Sequence, residues 1–133
     1  MHGFVTRGDQ MEGKGYFFPP TVLTHASSQS RVMNEEPFGP VSVMVPFSDF
    51  DEAVTEANRL PYGLAAYAWT KSAKTANRIG AAVESGMVSI NHLGLALPET
   101  PFGGVKDSGY GSEGGADALD AYLNAKFISQ AGL

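Results

Sequence analysis

Between residues 41 and 91 the apolar positions alternate between two periods. VSVMVPF, residues 41–47, is apolar and β-branched with a weak alternation, which predicts a largely buried strand. SDFDEAVTEANRL then places Phe50, Ala53, Val54, Ala57 and Leu60 on one stripe at helical spacing. Asp49 followed three residues later by Glu52 resembles a capping box, and Pro61 with Gly63 ends the helix. The alternation then repeats. LAAYAWT, residues 64–70, predicts a second strand. KSAKTANRIGAAVES predicts a second helix with a small inner face of Ala73, Ala76, Gly80 and Val83. GMVSIN, residues 86–91, predicts a third strand, introduced by a glycine that stops the helix. Strand, helix, strand, helix, strand implies right-handed crossovers and an α/β fold, a three-layer unit with a mainly parallel sheet covered by helices.

The flanks lack such order. Residues 1–40 carry paired prolines and scattered glycines, which predicts a loop-rich lead-in with one short extended piece at residues 21–23. Residues 92–115 are too rich in glycine and proline for either period. Behind them, Ala118, Leu119, Tyr122 and Leu123 give residues 116–133 a modest amphipathic helix, and AKFIS a short final strand. At 133 residues the chain reads as one domain, too short for a nucleotide-binding domain plus a substrate domain.

Charge and composition narrow the chemistry. A net charge of -5 with only 9 Lys and Arg argues against a phosphate-tracking surface, so no nucleic-acid partner is expected. No apolar run approaches the roughly 20 residues of a membrane span, and no charged leader precedes an apolar stretch. No membrane partner and a cytoplasmic location follow as expectations. The chain has no cysteine, which excludes disulfides, thiolate metal sites and thiol nucleophiles within it. His2 and His25 lack ligand partners at useful spacing, so no metal site is expected.

GYGSEGG, residues 109–115, contains a literal G-x-G-x-x-G. A dinucleotide fingerprint needs a buried strand feeding the first glycine, a helix leaving the third, and an acidic residue about 20 positions on. The preceding PETPFGGVKDS holds two prolines, two glycines and no β-branched run, and AKFISQAGL offers no acid. These glycines therefore read as loop turns. The loop's placement says more, because ligands gather at the carboxyl ends of parallel strands and long irregular loops there are commonly functional.

EEPFGPV from Glu35, YGLAAYAWT from Tyr62, SGMVSIN from Ser85, PFGGVKDSG from Pro101 and GSEGG from Gly111 stand in the order and spacing of the closing part of NAD(P)-dependent aldehyde dehydrogenases. The chain resembles that family from about GKGYFFPPTVL onward. NHLGLALPETPFGGVKDSGYGSEGG is most similar to succinate-semialdehyde dehydrogenase-type members. The resemblance implies that the chain is the C-terminal portion of such a catalytic domain, that Glu36 hydrogen-bonds the nicotinamide ribose, and that Phe38 packs by the nicotinamide ring. A carboxylate suits a ribose diol because it accepts two hydroxyl hydrogen bonds. Residues 92–115 look like the family's anchor loop at the aldehyde entrance. Phe102 matches an aromatic of the tunnel, and Leu93, Leu95 and Leu97 either tune substrate size or pack the loop down. Asn91 and His92 end a strand, where a polar side chain either meets substrate or caps the backbone. Glu113 falls at a proton relay for the deacylation water, with a helix-N-terminal acid as the plainer alternative. Lys106 and Ser108 tie down glycine turns, and AYLNAKFIS matches a segment of the oligomerisation sheet, so a homo-oligomer is expected.

The family attacks an aldehyde with a cysteine thiolate, passes hydride to NAD or NADP, and hydrolyses the thioester. This chain has neither that cysteine nor the dinucleotide-binding domain. Alone it is expected to be inactive with weak or no cofactor binding, taking a small aldehyde only if complemented. The alternative from another class is a non-catalytic module that self-associates or binds a partner.

Overall fold

A computed structural model describes the backbone of residues 5–7 and all of residues 12–132. His2 lies outside the described residues. The chain forms two compact units, Met1–Phe50 and Asp51–Leu133.

The first unit is built on a three-stranded sheet of β1 (Val5–Arg7), β2 (Thr21–Thr24) and β3 (Val41–Met44), in that order. β2 runs antiparallel to β1 and parallel to β3, with Thr21 opposite Val41 and Thr24 opposite Met44. The strand expected over residues 41–47 stops at Met44, ahead of Pro46, which has no N–H to give a ladder. The start of β2 follows two prolines, and Thr21 is held from both sides. Its N–H donates to Pro40 O at 2.9 Å and its hydroxyl to Pro19 O at 2.9 Å. A 3-10 helix spans Arg31–Met33 between β2 and β3.

The second unit runs α1 (Phe50–Ala57), β4 (Tyr62–Gly63), β5 (Ala65–Ala68), α2 (Ala73–Ala82), β6 (Met87–Ile90) and β7 (Val105–Lys106), then a 3-10 helix at Ala116–Tyr122. β5 pairs parallel with β6, Ala65 opposite Met87 and Ala68 opposite Ile90, with α2 as the crossover. β4 and β7 form a two-residue antiparallel ladder, Tyr62 opposite Lys106. Met87 and Ser89 are the buried positions of β6, and Ser89 is 1% exposed because its hydroxyl donates inward to His92 O at 2.6 Å. Of the expected stripe, Phe50, Ala53 and Val54 of α1 and Leu60 beyond its end are half-buried, whereas Ala57 is exposed. At the end of β5, the rings of Tyr67 and Trp69 stack with centroids 6.5 Å apart.

The fold is α/β with parallel strand pairs, and four local expectations change. The parallel pairs do not form one sheet through residues 41–91, because the lead-in supplies β2 as the partner of β3 while β5 and β6 pair with each other. The inner face of α2 is rotated from the one expected. Ala73 and Gly80 are exposed, whereas Thr75, Ala76, Ile79 and Val83 are half-buried, so the larger Ile79 takes a place on the inner face that small residues were expected to fill. Ser72 starts the helix by accepting the Thr75 N–H as N-cap. The C-terminal amphipathic helix is a 3-10 helix entered through Gly114 and Gly115, both at positive φ. Residues 125–129 form no strand and pair with no described segment.

Apolar surface remains open. Met87 is the one buried large hydrophobic among the described residues, while Tyr16, Phe17, Phe47, Tyr122, Phe127 and Ile128 are all exposed. The chain's accessible surface is 11048 Å². Two separately folded domains of these sizes would expose about 8,000 Å² between them.

Candidate functional site

The irregular loop after β6 is folded back on itself. Phe102 and Glu113 face each other in an isolated antiparallel bridge, with Phe102 N donating to Glu113 O at 2.6 Å and Glu113 N to Phe102 O at 2.7 Å. Directly opposed residues project to the same side of a ladder, so the ring and the carboxylate stand together. Both line an open hollow of about 720 Å³, with Leu64, Tyr110, Ser112, Ala118 and Tyr122 among the other side chains of its wall and several glycines in its lining. The Glu113 carboxylate accepts no hydrogen bond among the described residues, which leaves its lone pairs available for water or a ligand.

Glycines make this packing possible. A Cβ on Gly86 would land on the carbonyl oxygen of Gly103, and one on Gly114 would stand 2.6 Å from Thr100 O at a φ of +68. Gly111 and Gly114, two members of the G-x-G-x-x-G spacing, both take left-handed conformations in the turn that returns the chain to Glu113. The strand preceding Gly109 is the exposed two-residue β7. These glycines turn a loop and let backbones touch.

Polar side chains pin the far side of the same loop. Gly63 N donates to Ser108 Oγ at 2.8 Å, and Asp107 N to Pro61 O at 2.9 Å. The Lys106 ammonium reaches the Glu84 carboxylate at 2.5 Å, Asn58 O at 3.1 Å and Leu60 O at 3.4 Å. Asn58 has no signal in the sequence, yet its amide joins the ends of both helices. Nδ2 donates to Ala82 O at 2.8 Å, and Oδ1 accepts from Glu84 N at 2.9 Å. The structural reading of Lys106 and Ser108 agrees with these contacts.

Asn91 stands at φ +63 with both ends of its amide engaged. Oδ1 accepts from Thr70 N at 2.8 Å and Nδ2 donates to Thr70 O at 2.9 Å, so the side chain extends the β5–β6 pairing by one residue. His92 Nδ1 accepts from Gly94 N at 3.1 Å. Leu93 and Leu97 are exposed on the loop and do not line the hollow, whereas Leu95 is half-buried. The structure thus brings Phe102 and Glu113 together and leaves Asn91, Leu93 and Leu97 outside their hollow. Glu113 precedes the two glycines that open a 3-10 helix, and the acid in that helix's first turn is Asp117.

In the first unit, Arg31 grips Glu35 through Nε at 2.9 Å and Nη2 at 2.7 Å. The hydrogen bonds from Arg31 hold the Glu35 carboxyl below its ordinary range, and Arg31 is raised in return. Its neighbour Glu36 is exposed with no partner among the described residues, and the Phe38 ring is 96% exposed. A carboxylate with free lone pairs and an open aromatic face are chemically suited to a ribose diol and a nicotinamide ring. Among the described residues no cluster of His, Asp and Glu could hold a metal ion, and no helix is long and apolar enough to cross a membrane.

A profile described as the aldehyde dehydrogenase family matches residues 2–128. The chain is 49% identical over 114 residues to a 4-(hydroxymethyl)benzenesulfonate dehydrogenase, TsaD1, of Comamonas testosteroni, covering 86% of this chain and 24% of that protein. It is 43% identical over 126 residues to a probable NADP-type succinate-semialdehyde dehydrogenase of Sinorhizobium fredii, covering 95% and 26%. Among solved structures, the NAD+ complex of an aldehyde dehydrogenase from Bacillus cereus superposes with a TM-score of 0.84 at 41% identity, covering 90% of this chain and 25% of that one. The chain spans about a quarter of the length of the curated relatives it matches.

Proposed function

Because the chain belongs to the aldehyde dehydrogenase family, we propose that it serves as the closing segment of a catalytic domain that oxidises a short aldehyde to a carboxylate with NAD or NADP. The observation that carries this reading is the bridge that sets Phe102 beside Glu113 at the rim of one hollow. In this reading Phe102 is an apolar wall that keeps bulk water from the reacting carbon. Glu113 receives and returns a proton at its free carboxylate oxygens for the water that completes hydrolysis. Leu93 and Leu97 bound the aldehyde entrance. Asn91 contributes by holding the start of the loop that carries them, since both ends of its amide are used on Thr70.

Glu36 and Phe38 supply one face of the cofactor site, Glu36 by accepting ribose hydroxyls and Phe38 by packing on the ring. When bound, the nicotinamide accepts hydride from the substrate carbon. The nucleophilic thiolate comes from outside these 133 residues, which contain no cysteine, and these residues alone give no turnover. The semialdehyde class of substrate is supported by the succinate-semialdehyde dehydrogenases among its relatives. A cytoplasmic setting belongs to the same reading.

The test is a graft. This chain replaces the matching quarter of the Sinorhizobium fredii succinate-semialdehyde dehydrogenase, and NADPH formation from succinate semialdehyde is followed. The graft turns over, and Glu113→Gln in it lowers kcat by roughly tenfold to a hundredfold, the usual weight of a positioned acid–base group. Native-like folding without turnover, or an unchanged kcat in the Glu113→Gln graft, refutes the reading.

A second reading, a non-catalytic self-associating module, is favoured by the exposed apolar side chains Tyr122, Phe127 and Ile128 of the second unit. Sedimentation of the isolated chain tests it: a monomer removes the self-associating module.

A further inference from the structure

We infer that Lys106 is a positioning residue whose ammonium, seated on the carboxyl ends of both helices of the second unit, holds Phe102 opposite Glu113. The inference rests on the proposed roles of those two residues for its functional meaning.

Three observations carry it. The Lys106 side chain is only 26% exposed, and its three donor protons face three acceptors: the Glu84 carboxylate, Asn58 O and Leu60 O. Those acceptors are themselves fixed, because Asn58 follows the end of α1 and clasps Ala82 O and Glu84 N at the end of α2. A cation at helix carboxyl ends is further favoured by the carbonyls left unpaired there.

Lys106 also stands at φ +55, in a left-handed conformation that costs a non-glycine residue stability unless its surroundings enforce it. It lies four residues after Phe102 and seven before Glu113. Their bridge has no neighbouring ladder, and β7 adds only two residues of pairing. Gly103 and Gly104 carry the turn toward Phe102, with Gly103 O against Gly86 and Gly104 against Ser108 so closely that neither Gly86 nor Gly104 has room for a β-carbon. The turn is also tied by Asp107 N to Pro61 O and Gly63 N to Ser108 Oγ, both uncharged, so the ammonium supplies its charge-assisted hold.

The absence of cysteine permits a clean test on the whole chain. In Lys106→Cys the new thiol is alkylated with bromoethylamine, which restores an ammonium on a chain of the same length, or with iodoacetamide, which leaves a neutral amide. Per-residue amide exchange is read at Phe102 and Glu113, with Met87 and Asn91, which bond Leu64 O and Ala68 O, as reference. The neutral form exchanges about tenfold faster or more at Phe102 and Glu113, as expected for lost charge-assisted hydrogen bonds, with Met87 and Asn91 unchanged. The aminoethylated form returns to within about twofold of the unmodified chain.

Equal acceleration at all four amides, no acceleration at Phe102 and Glu113, or no rescue by aminoethylation overturns the inference. Glu84→Gln keeps the lysine and removes one charge. It accelerates the same two amides by about threefold, and an unchanged rate there also overturns it. Exchange does not depend on catalysis, so an inactive graft with this exchange pattern would remove the functional reading and leave the positioning role standing.

Discussion

Replacing Gly86 by alanine sets two effects of opposite sign against each other. Alanine restricts the unfolded chain, which at an unstrained site stabilises by about 0.4–1 kcal/mol. At Gly86 the added carbon would land on Gly103 O, 2.9 Å from Gly103 C and 3.2 Å from Gly104 Cα, all of it backbone that cannot rotate aside. Overpacking of this kind costs about 3 kcal/mol, near the top of its usual range, so the net loss is about 2 kcal/mol. Spread over the 83 residues of the second unit, at about 2.1 cal/mol/K each, that lowers Tm by on the order of 10 °C.

Gly80→Ala is the matched control. It lies inside α2 with nothing within 4 Å of an added Cβ, and its helical propensity gain of about 1 kcal/mol raises Tm by roughly 6 °C. Both variants are read by circular dichroism at 222 nm on heating. A neutral or stabilising Gly86→Ala refutes the claim that Gly86 and Gly103 touch through backbone. A destabilising Gly80→Ala refutes the placement of that face of α2 in solvent.

Asn91→Ala removes both hydrogen bonds to Thr70 while keeping a β-carbon at φ +63, and it lowers stability by about 2 kcal/mol in urea unfolding. Asn91→Gly loses the same bonds but relieves the left-handed strain, so it unfolds at higher urea than Asn91→Ala by about 1 kcal/mol. Arg31→Met returns the Glu35 carboxyl titration, followed by NMR, upward to the ordinary glutamate range, because the hydrogen bonds that lower it are gone. With its folded-state value depressed, the Arg31–Glu35 contact supports the fold above the ordinary range and fades as pH falls through the lowered value. An unchanged titration in Arg31→Met would place the pair apart in solution.

The parts of the fold carried by local period were legible in the sequence. The stripe of Phe50, Ala53, Val54, Ala57 and Leu60 marks α1, although Ala57 is exposed and Leu60 lies past the helix end, and the β-branched or small runs mark β3, β5 and β6 within a few residues. What depends on a distant partner was not. Val5–Arg7 is three residues among turn formers, and only its pairing with Thr21–Thr24 makes it a strand. The buried face of α2 was obscured because Ala73 and Gly80 are small enough to fit either side. AKFIS has a strand's composition, yet it pairs with no described strand. At the candidate site the family motifs drew attention to Phe102 and Glu113, but ten residues of mostly irregular chain separate them, so no period could show that they face each other. Asn58 was invisible for the same reason, its partners lying 24 and 26 residues away.

The stacked rings at the end of β5 give this chain an optical property. Trp69 is its one tryptophan, 62% exposed and 6.5 Å from Tyr67, a separation at which light absorbed by the phenol is handed to the indole. The next residue is Thr70, the one Asn91 clasps. All indole emission from this polypeptide therefore originates beside the junction where the β5–β6 pair ends and the long loop begins, and its colour and tyrosine-sensitised intensity follow that junction rather than an average over the fold.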